Sequence, residues 1–146
     1  MNKTAFAAEH GEDKLHRLRR GYRDQPTPLA KDDPRHPRHQ EIYRDIDAAL
    51  LPATESLADT LARLLPCWNG TIAPAIARGE CILIVSHGNT LRALLKHLEK
   101  MTEREIEQFE IPTGHPLLVE LAPNGDFLRR DYLDPLAAAE SIKASE

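Results

Sequence analysis

Long apolar runs are missing from this chain of 146 residues. No stretch approaches the roughly 18 consecutive apolar residues of a membrane-crossing helix. The N-terminus opens on no apolar signal segment, so the sequence reads as a soluble, untargeted protein with a cytoplasmic setting. Cysteine is scarce too. Cys67 and Cys81 are the only two, too few for a disulfide framework, which favours a reducing compartment. A basic excess is absent: 19 Lys and Arg stand against 23 Asp and Glu, a net charge of −4. That argues against general nucleic-acid binding. There are no internal repeats and no Cys/His spacing of the zinc kind, so no metal is expected. The length suits one domain with a real core.

What is present is organised around residues 81–98. Cys81-Ile-Leu-Ile-Val85 is a short run rich in β-branched residues, bounded upstream by Gly79. It reads as a strand buried on both faces, with Cys81 inside it. Ser86-His-Gly-Asn89 is a small-residue turn. From Thr90 the period changes, and Leu91, Leu94, Leu95 and Leu98 fall at helical spacing. A strand, a tight turn and a helix place His87 where α/β sheets bind ligands and where helix amides favour anions. Spacing alone leaves two readings of His87: a packed turn histidine, or a ligand-facing one with Gly88 admitting close approach to the backbone.

The remainder is taken in chain order. Residues 2–22 are helical in composition, with Asn2 as a cap and Gly11 as a break. Leu15, Leu18 and Tyr22 share one face of the second piece. Lys14, Arg17, Arg19 and Arg20 form its other face, which by itself is as well explained by solvation as by binding. Residues 23–53 are interrupted by Pro26, Pro28, Pro34, Pro37 and Pro52, and read as a surface loop. Residues 54–78 return to helix, with Thr54 as N-cap and with Pro66 and Pro74 kinking or splitting it. Thr102-x-x-Glu105 is a capping box that opens a short helix over 103–109. Residues 117–121 and 127–133 form a hairpin about Asn124-Gly125. The alanine-rich tail, 135–144, is a short helix or frays.

Ser86-His-Gly-Asn-Thr-Leu-Arg-Ala93 resembles the second histidine motif of cofactor-dependent phosphoglycerate mutases, in the histidine phosphatase superfamily. Other stretches stand in the family's order: Asn2-Lys3, Leu18-Arg-Arg-Gly-Tyr22, Asp33-Pro-Arg-His-Pro37, Leu51-Pro-x-Thr-Glu-Ser-Leu57, Pro66-x-Trp68, Ile111-Pro-Thr-Gly114 and Asp131-Tyr-Leu133. The resemblance implies an α/β, three-layer, phosphoglycerate mutase-like fold. It implies interconversion of 3-phosphoglycerate and 2-phosphoglycerate through a phosphohistidine, with 2,3-bisphosphoglycerate as phosphoryl donor. Lys3, Arg19 and Arg20 match residues that hold phosphate and carboxylate. His87 matches the histidine that stabilises the transferring phosphoryl group, and Gly88 and Asn89 match phosphate contacts. Phosphoryl transfer needs this kind of positioned positive charge.

The resemblance also implies an absence. The family's nucleophile lies in an Arg-His-Gly-Glu motif after the first strand, and its general acid lies just before the Asn-Lys pair. This sequence opens at that pair. The expectation is therefore one partial domain over 1–146: helices with a basic face in 1–22, a proline-rich loop in 23–53 and an α/β part in 54–146. It lacks the nucleophile-bearing strand and is inactive alone. Glu9-His-Gly-Glu12 imitates the missing motif, but His10 follows a helix-like segment, and Glu9 puts negative charge where arginine is needed. In the family that strand lies between the one ending at His87 and the hairpin. The gap can close directly, be filled by swapping in a homo-oligomer, or be filled by a separate N-terminal fragment. A non-catalytic phosphate-binding remnant and an interaction protein pairing through an open sheet edge are the alternatives.

Overall fold

The computed structural model describes residues 2–144. It falls into two compact units, Met1–Asp59 and Thr60–Glu146.

In the first unit, Asn2 caps helix α1 (Lys3–His10), its side-chain oxygen accepting from the Ala5 amide at 2.8 Å. Gly11 then takes a φ of +87°, a region open to glycine, and the chain restarts as α2 (Glu12–Arg20). Glu12 and Asp13 lie in the first turn of α2, and Arg17, Arg19 and Arg20 in its last. Each sign sits at the end that the helix dipole favours. Gly21 closes α2 for a steric reason: a Cβ there would lie 2.5 Å from both the Arg17 carbonyl and an Asp24 carboxylate oxygen. The proline-rich stretch carries only single 3₁₀ turns, at Pro37–His39, Glu41–Tyr43 and Ala48–Leu50. Asp33 holds Arg35 through two oxygens, and that guanidinium keeps the Asp33 carboxyl at about 2.

Thr54 does not cap the next helix. Its hydroxyl donates to the Pro26 carbonyl at 2.7 Å instead. Helix α3 (Leu57–Cys67) begins three residues later, and Ser56 is its cap. The Ser56 hydroxyl accepts from the Asp59 amide at 3.2 Å, and the Asp59 carboxylate takes the Ser56 amide at 2.8 Å. This is a reciprocal box with Asp in place of the usual Glu. Bonds from the Ser56 hydroxyl and amide, with a further one from Gln25, hold the Asp59 carboxyl at about 2. An unfolded Asp titrates near 3.9. The folded value is depressed, so this stabilisation is present above about pH 4 and is lost as pH falls toward 2. The thermal midpoint should therefore drop between about pH 4 and pH 2, and drop less in Asp59→Asn, as circular dichroism melts of the two proteins can check.

In the second unit the helical run continues to Ala77. A π-helical turn, Trp68–Ile72, joins α3 to α4 (Ala73–Ala77). Pro66 lies inside α3 and Pro74 at the start of α4, and each removes a backbone donor. The wide turn between them absorbs the mismatch, so the prolines widen the run without splitting it. Trp68, in that turn, is buried.

Residues 81–85 form no strand among the described residues, and they are not buried on both faces. Cys81 is exposed, Leu83 is 86% exposed and Val85 85%. An apolar β-branched run signals a demand for burial, but a strand exists only where a neighbour supplies the ladder. Helix α5 (Gly88–Leu98) follows and buries Arg92, Ala93, Leu94 and Leu95. Thr102 and Glu105 close their capping box over α6 (Glu103–Gln108), where Ile106 is fully buried. Strands β1 (Leu117–Leu121) and β2 (Phe127–Tyr132) pair antiparallel, from Leu117 opposite Tyr132 to Leu121 opposite Phe127, with a bulge after Glu120. Glu120 and Arg129 face each other and bond through both carboxylate oxygens. Arg130 lies over the Phe109 ring at 4.4 Å and pairs with Glu99. The tail is helix α7 (Pro135–Lys143), capped by Asp134. Helices with a small sheet fit the α/β class, but the sheet of the described residues has two strands.

Candidate functional site

The second unit presents its most suggestive chemistry at the start of α5. His87 is the N-cap, with backbone angles of −63° and 143°, and its Nδ1 accepts from the Asn89 amide at 3.2 Å. In the neutral ring that bond leaves the proton on Nε2, the atom turned away from the helix end. His87 is exposed, so this donor is open to a ligand. The Gly88 and Thr90 amides belong to the first turn, whose N–H groups have no helical carbonyl behind them. A Cβ built on Gly88 meets no atom within 4 Å, so the space beside that backbone is open. The turn expected at 86–89 is thus tighter than its sequence suggests: Gly88 and Asn89 are already helical.

Asn89 is exposed, but its side chain is set from below. Its carbonyl oxygen accepts from Arg92 Nη1 at 3.2 Å, which leaves its amide donors for other partners. Arg92 is 4% exposed and is tied by Nε to the Phe109 carbonyl at 2.9 Å and by Nη2 to the Ile106 carbonyl at 2.5 Å. It therefore joins the end of α6 to the first turn of α5. Sequence reasoning gave Arg92 no role. The signal was available, since position 92 lies three residues from Asn89 and three from Leu95 on the buried stripe of the helix.

In the first unit Arg19 and Arg20 stand side by side in the last turn of α2. Arg19 is exposed and Arg20 half-buried. Burial, and then the charge of Arg19, push the Arg20 guanidinium below its ordinary value. Two crowded cations favour an anion between them. Lys3 opens α1 by its backbone, and its side chain lies outside the described residues. The expected site residues thus form two groups, the cations in one unit and His87, Gly88 and Asn89 in the other. His10 ends α1, with its ring 4.4 Å from that of Phe6 and its Nε2 3.6 Å from the Glu9 carboxylate. A helix end beside a carboxylate is no seat for a phosphoryl-accepting histidine. Among the described residues no group of three or more His, Cys, Asp or Glu could hold a metal, and no helix is long and apolar enough to cross a membrane.

Residues 10–131 match the Histidine phosphatase superfamily (branch 1). The chain belongs to that superfamily. It is also 48% identical, over 121 residues, to a 2,3-bisphosphoglycerate-dependent phosphoglycerate mutase of Nitrosococcus oceani. The aligned region covers 83% of this chain and 50% of that protein, so the chain spans about half the length of the curated relative it matches. Membership of the histidine phosphatase superfamily bears out the resemblance drawn from the Ser86–Ala93 stretch. It also gives the α5 N-terminus a chemical context: a superfamily that handles phosphoryl groups, and here a histidine, a glycine and an asparagine at a helix start that suits an anion.

Proposed function

We propose that this chain forms the phosphoglycerate-binding part of a 2,3-bisphosphoglycerate-dependent phosphoglycerate mutase, a glycolytic isomerase of the cytoplasm. The 146 residues act as one partial domain of a three-layer α/β fold. The nucleophilic histidine and the general acid come from a stretch outside this sequence. The observation that carries the reading is the exposed His87 ring, which caps α5 through Nδ1 next to Gly88, where an added Cβ would meet no atom within 4 Å. The relative's name supports the substrate and the cofactor.

A small polyanion suits this donor set. His87 Nε2 donates to a phosphoryl oxygen, and the Gly88 and Asn89 backbone and the Asn89 amide take the neighbouring oxygens. By resemblance Arg19, Arg20 and Lys3 match residues that hold phosphate and carboxylate, and arginine forks suit both groups. 2,3-Bisphosphoglycerate, when bound, supplies the phosphoryl group. Arg92 holds Asn89 in place from below. A phosphate-binding remnant without catalysis uses the same residues and differs only in turnover.

Titration with 3-phosphoglycerate, followed by backbone amide shifts, tests the site. The Gly88 and Asn89 amides should move, the effect should weaken with salt, and it should vanish in His87→Ala. Gly88→Ala separates binding from folding. Its added methyl meets nothing in the fold and brings up to about 1 kcal/mol of helix propensity. Its thermal midpoint should hold or rise while its affinity for 3-phosphoglycerate falls severalfold. Shifts that leave Gly88 and Asn89 unmoved would sink the reading.

A further inference from the structure

An asparagine side chain at a helix start has two faces of opposite sign. With Nδ2 outward it donates two N–H bonds to an anion; with Oδ1 outward it repels one. The two ends of the amide have nearly the same shape, so space alone does not choose between them. At Asn89 the choice is made chemically. Its Oδ1 accepts from Arg92 Nη1 at 3.2 Å, and its Nδ2 has no partner among the described residues. A guanidinium carries donors and no acceptor, so it holds the oxygen of an amide and never the NH2.

Arg92 is itself fixed. Nε and Nη2, one edge of the planar fork, grip the Phe109 and Ile106 carbonyls at 2.9 and 2.5 Å. Those carbonyls lie at the end of α6, where a cation suits the helix dipole and where the Ile106 side chain is fully buried. The fork is rigid and the side chain is 4% exposed, so the grip on α6 sets the direction of Nη1. Residue 89, three positions back on the same face of α5, stands in that direction.

We propose that Arg92 is a positioning residue that makes the start of α5 selective for anions. It turns the Asn89 carbonyl inward, clamps that state against the end of α6, and so presents the Asn89 NH2 to a phosphoryl oxygen. The proposal rests on the reading of this helix start as a phosphoglycerate site. Arg92 touches no substrate in this scheme and acts through Asn89. Lysine is no substitute: its one ammonium keeps the charge but cannot span two carbonyls and an amide in a fixed plane.

The test follows the side-chain NH2 signals of Asn89 in the full 146-residue chain. In the parent chain they should form one ordered pair that moves on titration with 3-phosphoglycerate. In Arg92→Lys, without ligand, they should shift to the values of a free asparagine amide. Affinity for 3-phosphoglycerate should fall about fivefold in that variant, as for one lost hydrogen bond. In an Asn89→Ala background the same substitution should change affinity by less than about twofold, because the route through Asn89 is gone. A role confined to packing would lower affinity equally in both backgrounds, and that result would overturn the proposal. NH2 signals of the parent that stay still while the Gly88 and Asn89 backbone amides move would overturn it as well, even if Arg92→Lys fails to fold, and would leave the phosphoglycerate site standing. Backbone amides that do not move remove the site reading instead. The clamp on Asn89 is then upheld if Arg92→Lys frees the NH2 signals and overturned if it does not.

Discussion

Given 3-phosphoglycerate and catalytic 2,3-bisphosphoglycerate, the purified 146-residue chain should form no 2-phosphoglycerate above the level of a His87→Ala control. The family chemistry needs a second histidine, held rigidly, to accept the phosphoryl group. Of the seven histidines, six are not His87, and each has another placement. His10 ends a helix beside Glu9 and Phe6. His36 is buried and accepts from the Arg38 amide. His39 bonds the Lys31 carbonyl, and His115 bonds the Ser141 hydroxyl at 2.8 Å. His16 and His97 are exposed positions within α2 and α5. None stands at a strand end flanked by arginines. Residues that act as a catalytic unit fail together, and losing one can cost on the order of a millionfold in rate. Mass spectrometry should find no phosphohistidine on the chain after exposure to 2,3-bisphosphoglycerate. Turnover at even about a hundredth of a complete enzyme's rate, abolished by His10→Ala, would reverse the assignment and make His10 the nucleophile.

Local signals in the sequence were read well because their physics is local. The Thr102–Glu105 box, the Asn124-Gly125 turn and the Leu91–Leu98 stripe each depend on residues a few positions apart, and each forms where the spacing placed it. Thr54 shows the limit of such reading. Thr54 and Ser56 are both good caps, and the choice fell to Ser56 because Asp59, three residues on, could answer it, while the Pro26 carbonyl took the Thr54 hydroxyl. The run at 81–85 fails for a different reason. Its composition states what the segment needs, and only a partner strand can meet that need. The spacing of Arg92 to Asn89 and Leu95 could be read, but its acceptors, the Phe109 and Ile106 carbonyls, could not, being 17 and 14 positions away. Within the site, His87, Gly88 and Asn89 were read as the turn before a helix, although Gly88 and Asn89 already belong to α5, and the tie from Arg92 to Asn89 was not drawn.

The chain alone should melt broadly and below about 45 °C, the lower edge of the usual mesophile range. In the second unit, the large apolar side chains that are buried among the described residues are Leu61, Trp68, Leu94, Leu95 and Ile106. Against them Leu83, Val85, Leu128, Leu133 and Leu136 stand 86%, 85%, 59%, 69% and 80% exposed. Full burial of one such side chain contributes about 1.5–3 kcal/mol, and a whole domain retains only about 5–15 kcal/mol. Leaving several of them in water therefore removes an amount comparable with the entire margin. The backbone adds to the deficit, since among the described residues 81–85 makes no ladder and β1 pairs with β2 alone. Exposed edges of this kind also recruit other chains. The melting midpoint should thus depend on protein concentration, and sedimentation should show species larger than the monomer at concentrations where the melt shifts. A sharp, concentration-independent transition above about 60 °C from a monomer would mean that 81–85 is stable unpaired. Its exposed leucine and valine would then need no cover.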